Sequence, residues 1–232
     1  MAKRFFKILA IVVFVLSLPV FVIATNFRLL MLDQNVYFNI QVSTGVPASS
    51  GFPESTLRAA DSSLAAYFTN EQASLDTELK KQGLPNDFFN EREIKHLADV
   101  RDLIWKVMAV QQTALGYIVL FLVATFLLSP KRFFSRISSP LMWGAGLTLA
   151  VLAVLGILSQ VDFSGFWLAV HIVSFSNDLW MLNPATDNLL KMAPEAVWLN
   201  GAIMMAEYSA FEALGVGVVG VVLHWHQRRQ IG

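Results

Sequence analysis

Two of the four histidines, His96 and His171, are the residues of this sequence that are best suited to proton transfer. The ordinary pKa of histidine is about 6.5, so near neutral pH one imidazole can accept a proton while a second one donates. Hydropathy and charge place each histidine in a segment outside the membrane, among carboxylates and aromatic side chains. The pair therefore predicts an acid–base site at a lipid surface.

Polar side chains near each histidine are candidates for orienting the imidazoles. Asp99 follows His96 by three residues, which places both on one surface of a helix. Apolar residues at helical spacing put His96 at the edge of a buried face, so we expect its ring to point toward the protein. The alternative is an interfacial histidine that only satisfies its own hydrogen bonds. The supporting residues that we predict are Glu93, Asp99, Asn177, Asp178, Trp180 and Asp187.

Composition indicates an integral membrane protein. Of 232 residues, 55% are apolar and only 15% are charged, which is far more apolar than an ordinary soluble domain. Lys+Arg and Asp+Glu number 17 each, so the chain lacks the basic excess of nucleic-acid binders, and we expect no such partner. The chain has no cysteine, which excludes disulfides, thiolate metal sites and a cysteine nucleophile.

Four apolar stretches are long enough to cross a bilayer, which takes about 20 residues of helix. We predict that the chain is mainly α-helical and polytopic. Its parts are a transmembrane helix at 1–25, an extracytoplasmic cap segment at 26–106, a second transmembrane helix at 107–130, a cytoplasmic loop at 131–136, a third transmembrane helix at 137–161, an extracytoplasmic or interfacial segment at 162–202, a fourth transmembrane helix at 203–225 and a cytoplasmic tail at 226–232.

Basic residues near the span ends predict the orientation. Lys and Arg cluster before the first span, in the loop after the second and behind the fourth, and such clusters favour the cytoplasm. Both termini are therefore expected in the cytoplasm, with 26–106 and 162–202 on the outer face. The first span resembles a cleaved signal peptide, but its long apolar run and the poor cleavage site at Ala24-Thr25-Asn26 favour retention.

The outer segments are predicted to form a small mixed α/β cap and one short apolar helix. Side chains alternate over 36–42 as in a half-buried strand, and amphipathic spacing predicts a helix from Glu54 to Phe68. Asn90 is a suitable N-cap for a helix that runs into the second span as far as Leu128. The aromatic stretch 163–177 is too short to span and predicts a re-entrant or interfacial helix.

The residues around the two histidines resemble those of a known family. The first motif is Glu93-x-x-His96-x-x-Asp99-Val100, and the second, after the helical hairpin, is His171-x-x-x-Phe175-x-Asn177-Asp178-x-Trp180-x-x-x-Pro184-x-x-Asp187. With the four spans, these motifs resemble the bacterial lipoprotein intramolecular transacylase family, Lit. The stretch 41–83 carries no residue that we can match to it.

The resemblance implies an enzyme of the bacterial cytoplasmic membrane, with its active site at the outer leaflet. Such an enzyme moves the sn-2 acyl chain of a diacylglyceryl-modified cysteine to the α-amino group of that cysteine, which gives a lyso-form lipoprotein. The implied partners are a diacylated lipoprotein N-terminus and membrane lipid. His96 and His171 are implied to be catalytic.

The chemistry of that reaction suggests how two histidines would share it. One would accept the proton of the α-amino group, and the other would stabilise the oxyanion and return a proton to the leaving oxygen, a task in which Asn177 could assist. The nucleophile and the ester belong to one molecule, so positioning alone contributes much of the acceleration. Neither a cofactor nor a metal is expected.

Two other functions are consistent with the same residues. His96, His171, Glu93, Asp99 and Asp178 could bind zinc in a membrane hydrolase, although the sequence has no His-Glu-x-x-His pair. Alternatively, a non-enzymatic scaffold or sensor would make both histidines structural or pH-responsive.

Several other motifs favour structural roles. Gly215-x-Gly217-x-x-Gly220 matches a dinucleotide-binding pattern but lies inside the last span, where it predicts close helix packing. The tryptophans at 167, 180 and 198 are typical of an interfacial belt. Glu207 and Glu212 are either part of the site or solvated at the interface. His224 and His226 are expected on the cytoplasmic side, away from the chemistry.

Overall fold

A computed structural model describes residues 2–231; Met1, in the predicted first span, and Gly232, in the predicted tail, lie outside the described residues. This part of the chain forms ten α-helices and one short 3-10 helix at Pro130–Arg132. The α-helices are α1 (Ala2–Leu32), α2 (Gln34–Ser43), α3 (Val46–Ser50), α4 (Glu54–Thr69), α5 (Leu75–Lys81), α6 (Glu91–Leu128), α7 (Phe133–Val161), α8 (Phe163–Ser174), α9 (Asn188–Met192) and α10 (Glu195–Ile231).

Four helical segments between residues 2 and 231 are long and apolar enough to cross a membrane, as the sequence predicts. They are Arg4–Leu32, Glu91–Leu128, Pro130–Val161 and Glu195–Gln227. The helix predicted near 163–177 is α8, which ends three residues early at Ser174. With 12 residues, α8 is apolar but too short to cross about 30 Å of hydrocarbon.

The mixed α/β cap is wrong, because residues 2–231 contain no strand. The stretch 36–42 lies in α2, whose N-cap is Asp33. One carboxylate oxygen of Asp33 accepts hydrogen bonds from the backbone N–H groups of Asn35, at 2.9 Å, and Val36, at 3.4 Å. Gln41 is buried three residues after Phe38, which is helical spacing. The alternation of apolar residues over this short run therefore predicted the two-residue period of a strand, whereas the segment is a helix.

The helix α6 begins where the sequence predicts. The side-chain oxygen of Asn90 accepts from the backbone N–H of Arg92 at 2.9 Å and of Glu93 at 3.0 Å. In return, Oε2 of Glu93 accepts from the backbone N–H of Asn90 at 2.7 Å. This reciprocal arrangement is a capping box, which satisfies N–H groups that the first turn of a helix leaves free. From there α6 continues for 38 residues without interruption.

The chain divides into two compact units. The first comprises Met1–Asn26, Met108–Ile157 and Met205–Gly232, of which Met1 and Gly232 are not described. The second comprises Phe27–Val107 and Leu158–Met204. The second unit therefore contains α2 to α5, α8 and α9, together with the start of α6, and both His96 and His171 belong to it.

The glycine motif of the last span packs two helices of the first unit against each other. A Cβ atom on Gly220 would lie 2.8 Å from Cγ of Met142 and 3.0 Å from the carbonyl oxygen of Ser138. A Cβ on Gly217 would lie 3.4 Å from that of Ala145, whereas Gly215 has open space around it. Gly220 thus allows α7 and α10 to approach closely, as expected of small residues in membrane helices.

Replacing Gly220 with alanine is expected to destabilise the protein by about 1–3 kcal/mol, because the added methyl group meets backbone atoms of α7 that cannot move aside. Gly215→Ala is the matched control, since its methyl group enters open space on the same helix. Thermal unfolding of the detergent-solubilised variants measures both effects. Equal midpoints for the two variants would contradict this packing role.

A polar cluster in the same unit involves one of the two glutamates left undecided by the sequence. The side-chain amide of the buried Asn26 donates to Oγ of Ser209 and to Oε2 of Glu212, each at 3.1 Å. Both glutamates are exposed, but Glu212 is bonded to Asn26 within the first unit. Bonding to Asn26 makes Glu212 more than a solvated interfacial charge.

Candidate active site

His96 lies on the second turn of α6 and is 6% exposed. The centre of its ring is 6.1 Å from that of His171, with the two planes inclined by 30°. The ring of Phe175 meets it edge-on at 5.2 Å. Nδ1 of His96 is buried and has no hydrogen-bond partner. The structure thus brings together the two histidines that the sequence singles out, across 75 positions of the chain.

His171 lies near the end of α8, where a backbone carbonyl fixes its ring. Nδ1 is 2.8 Å from the carbonyl oxygen of Trp167. Because a carbonyl oxygen can only accept, Nδ1 carries the hydrogen, and Nε2 keeps its lone pair in the neutral ring. Burial lowers the pKa of His171, an effect that the hydrogen bond to Trp167 opposes. The unprotonated form, which can act as a base, is therefore favoured near neutral pH.

Aromatic rings surround His171. Between ring centres, Trp167 lies edge-on at 4.8 Å, Trp180 is tilted at 5.0 Å, and Phe175 is 5.7 Å away. Trp167 also stacks on Trp198 at 4.9 Å. The sequence favoured an interfacial belt for these tryptophans, but Trp167 and Trp180 contact the histidine directly. Their rings shield His171 from water, which explains the effect of burial on its pKa.

The segment between α8 and α9 is held against the start of α6 by polar contacts. Nδ2 of Asn177 donates to Oδ2 of Asp99 at 2.8 Å. The guanidinium of Arg92 donates to the backbone carbonyl of Asp178 and lies 3.6 Å from its carboxylate. Nε1 of Trp180 donates to the carbonyl of Asn177 at 2.8 Å. Four of the predicted supporting residues therefore position this segment, and Asp99 bonds to Asn177 instead of orienting His96.

The remaining two predicted residues, Glu93 and Asp187, form a second set of contacts. Oε1 of Glu93 accepts from the backbone N–H of Leu189 at 2.6 Å, so this buried carboxylate joins the start of α6 to that of α9. Oδ1 of Asp187 accepts from Nδ2 of Asn90 at 2.9 Å, and its Oδ2 accepts from the backbone N–H of Asn183 at 2.7 Å. Both carboxylates serve as acceptors for groups that would otherwise be left without partners.

Replacing Glu93 with glutamine is expected to destabilise the protein by about 1–3 kcal/mol, because an amide cannot accept from both backbone N–H groups. Glu91→Gln is the matched control on the same helical turn, where an exposed ion pair with Lys95 contributes little to stability. Denaturation of both variants in detergent measures the difference. An equally small loss for the two would show that Glu93 does not join the helices.

A small cavity adjoins His96 and contains residues that the sequence did not suggest. About 60 Å³ in volume, it is lined by Tyr37, Asp61, His96 and Trp198 among mostly apolar side chains. Asp61, on α4, is 3% exposed, and its Oδ1 accepts from Nε2 of Gln41 at 3.2 Å. Burial raises the pKa of Asp61 to about 8, so it is a neutral carboxylic acid near pH 7. One signal was available: Asp61 occupies the apolar face of its helix.

The donor groups near the pair do not form a metal site in the part of the chain that the structure describes. No set of three His, Cys, Asp or Glu side chains between residues 2 and 231 is arranged to hold an ion. Asp99 and Glu93 are engaged with Asn177 and with helix ends, as described above. The structure therefore offers the zinc hydrolase hypothesis no ligand set among these residues.

Four helices long and apolar enough to span a membrane, with a buried and a half-buried histidine close together, define a multi-pass helical membrane protein. The family model described as "Lipoprotein intramolecular transacylase Lit" matches residues 12–198, and the chain belongs to this family. The protein is therefore an acyltransferase, a lipoprotein intramolecular transacylase.

Solved structures show the same fold. The chain superposes on the lipoprotein intramolecular transacylase Lit of Bacillus cereus with a TM-score of 0.82 and 17% identity, covering 97% of this chain and 99% of that one. A variant of the same protein with a histidine changed to arginine superposes with a TM-score of 0.76 at 17% identity, covering 98% of this chain and 96% of that one. A search of curated proteins found no significant match.

Proposed function

We propose that this protein transfers the sn-2 acyl chain of a diacylglyceryl-modified N-terminal cysteine to the α-amino group of that cysteine, with His96 and His171 as the catalytic residues. The observation that carries the proposal is the pairing of the buried His96 with the half-buried His171, their ring centres 6.1 Å apart, in a member of the transacylase family. The partners would be a diacylated lipoprotein and membrane lipid, and neither cofactor nor metal would be needed.

The hydrogen bond to Trp167 supports His171 as the base. With Nδ1–H donated to that carbonyl, Nε2 is free to accept a proton from the α-amino group, whose ordinary pKa is about 7.7–8.0. Once that first proton has passed to solvent, the neutral amine nitrogen attacks the ester carbonyl carbon, a C–N bond forms, and Nε2 takes a second proton from the attacking nitrogen. When the C–O bond to glycerol breaks, the imidazolium of His171 returns its proton to the leaving oxygen. The products are an amide and a free hydroxyl group.

His96 would act on the oxyanion of the tetrahedral intermediate. A buried, neutral imidazole can donate one hydrogen bond, and a donor that is already in place stabilises charge as it develops on the carbonyl oxygen. Phe175 lies beside both histidines and keeps the space between them apolar. Asn177 is held by Asp99, so we assign it to positioning of the segment rather than to the oxyanion.

We further propose the bacterial cytoplasmic membrane as the location, with both termini in the cytoplasm. Segments 26–106 and 162–202 would then lie on the outer face, at the leaflet that holds lipoprotein acyl chains. Support comes from the basic clusters at the ends of the spans, such as Lys131 and Arg132 between the second and third. The boundaries 107–130, 137–161 and 203–225 remain our proposal for the later spans.

Expression in a bacterium whose lipoproteins remain diacylated tests the function. Mass spectrometry of lipoprotein N-terminal peptides is expected to show the N-acyl, S-monoacyl form in place of the diacyl form. The double variant His224→Ala/His226→Ala, which changes only histidines outside the proposed site, should give the same product. Unchanged diacyl N-termini, with the protein present in the membrane, would refute the proposed transfer of the sn-2 acyl chain to the α-amino group.

A further inference from the structure

The cavity beside His96 contains two buried polar atoms that lack partners. Nδ1 of His96 and Oδ2 of Asp61 are each buried without a hydrogen bond, and both residues line the cavity. An unpaired polar atom in such a place is costly, so buried polar groups nearly always find a protein or water partner. Two such atoms on residues that line one cavity point to something that bonds them both.

The size of the cavity decides what can occupy it. Its volume of about 60 Å³ has room for a few water molecules, since a cavity of about 10–15 Å³ already holds one. Ordered water also needs at least two polar partners, which Asp61 and His96 supply. The hydroxyl-bearing Tyr37 lies on the same wall. Water is thus the occupant that the volume and the lining favour.

The contacts of Asp61 define which of its oxygens carries hydrogen. Nε2 of Gln41 donates one hydrogen to Oδ1 of Asp61 and the other to the carbonyl of Met192, each at 3.2 Å. Oδ1 is thereby committed as an acceptor. No ion pair to Asp61 occurs among residues 2–231, and the nearby charge of Arg58, whose guanidinium lies 3.6 Å above the ring of Phe38, lowers the pKa of Asp61 by less than burial raises it. In its neutral form Asp61 keeps its hydrogen on Oδ2, the atom without a protein partner.

We propose that Asp61 is a positioning residue for His96, to which it is joined by one or two waters held in the cavity. The Oδ2–H group of Asp61 donates to the water, and the water donates to Nδ1 of His96. Nδ1 is then an acceptor, so the hydrogen of the neutral imidazole resides on Nε2. His96 is in this way held in the tautomer that presents an N–H donor away from the cavity. This inference rests on the catalytic role proposed for His96.

The tautomer of His96 can be observed directly in the full-length protein. We would label histidine with ¹⁵N in the His224→Gln/His226→Gln background, so that His96 and His171 give the remaining signals in detergent. The expected result is hydrogen on Nε2 for His96 and on Nδ1 for His171. In Asp61→Leu, hydrogen on His96 is expected to move at least partly to Nδ1, while His171 stays unchanged as the internal control.

Two further variants distinguish loss of the hydrogen bonds from Asp61 through water to His96, here called the relay, from a general loss of structure. Asp61→Asn can accept from Gln41 and still donate into the cavity, so it should keep the wild-type tautomer of His96. Ala65→Val leaves Asp61 intact but adds a side chain to the cavity wall, and it should displace the water and shift the tautomer as Asp61→Leu does. A His96 tautomer that is the same in wild type, Asp61→Leu and Ala65→Val would overturn the proposal.

The activity of the same variants gives a second readout. We expect Asp61→Leu to lower kcat about tenfold with little change in KM, since one factor of ten corresponds to about 1.4 kcal/mol in the transition state. Asp61→Asn should restore the wild-type kcat. If neither the wild type nor any variant acts on lipoproteins but the tautomer of His96 shifts as expected, the relay stands and the proposed function fails. If the protein is active and the tautomer does not shift, the relay alone fails.

Discussion

Replacing His171 with asparagine is expected to lower the rate of acyl transfer by about 10²–10⁴-fold, the usual contribution of a general base. The side-chain amide of asparagine can still donate to the carbonyl of Trp167, so the end of α8 should keep its structure. What the variant lacks is an acceptor in the place of Nε2. Rates are measured with purified protein in detergent and a synthetic diacylglyceryl lipopeptide, by mass spectrometry of the product.

His171→Gln is the informative comparison, because its longer amide reaches toward the position of Nε2 but cannot take up a proton. It should be as inactive as His171→Asn. Thermal unfolding in detergent serves as the control for folding in both variants. Activity within tenfold of wild type in either variant would show that His171 is not the base.

Replacing His96 with alanine is expected to lower kcat by about 10²–10³-fold, as does the removal of one oxyanion donor in other enzymes. His96→Gln should retain more activity than His96→Ala, because the amide nitrogen of glutamine can donate from about the position of Nε2–H. The same lipopeptide assay measures both. An inactive His96→Gln variant that folds normally would indicate that His96 must exchange a proton, and would contradict its assignment as a fixed donor.

The opposite preferences of the two histidines form the sharpest test of their roles. If His171 is a base, neither asparagine nor glutamine can replace it. If His96 is a hydrogen-bond donor, glutamine can replace it in part, because its amide nitrogen reaches the position of Nε2. The proposed difference rests on the surroundings of the two rings, since Nδ1 of His171 is bonded to Trp167 while Nδ1 of His96 is buried without a protein partner. If both positions tolerated glutamine equally, the proposed division of labour would be wrong.

The sequence was most informative where the decisive signals are local. The start of α6 is such a case, because Asn90 and Glu93 lie three residues apart and satisfy each other's backbone groups. Hydropathy likewise suffices to predict the spanning helices, since a long apolar run with few charges is typical of a transmembrane helix. The prediction for 36–42 was wrong because a short alternation of apolar residues fits a strand as well as a helix. Asp33 favours the helix, because its carboxylate caps the N-terminus.

Partners distant in the chain could not be predicted from local patterns. Asp99 has His96 within reach on its own helix, yet it bonds to Asn177, 78 positions away. The partners of Gln41 are Asp61 and Met192, and the second of these is 151 positions away. The meeting of His96 and His171 was expected from the family resemblance, because spacing along one chain carries no information about such an approach. Tertiary packing determines these contacts.

The polar contacts between the start of α6 and the segment after α8 have a consequence for biogenesis. Asp187 and Leu189 reach their partners Asn90 and Glu93 across 97 and 96 positions of the chain. At about 5–20 residues per second, a ribosome takes on the order of ten seconds to synthesise that interval. During that delay His96 is already made but has neither His171 nor the segment that covers it. The proposed site is therefore completed late, after three of the four candidate membrane helices have been synthesised, and we expect a chain that ends before Asn177 to be inactive in acyl transfer.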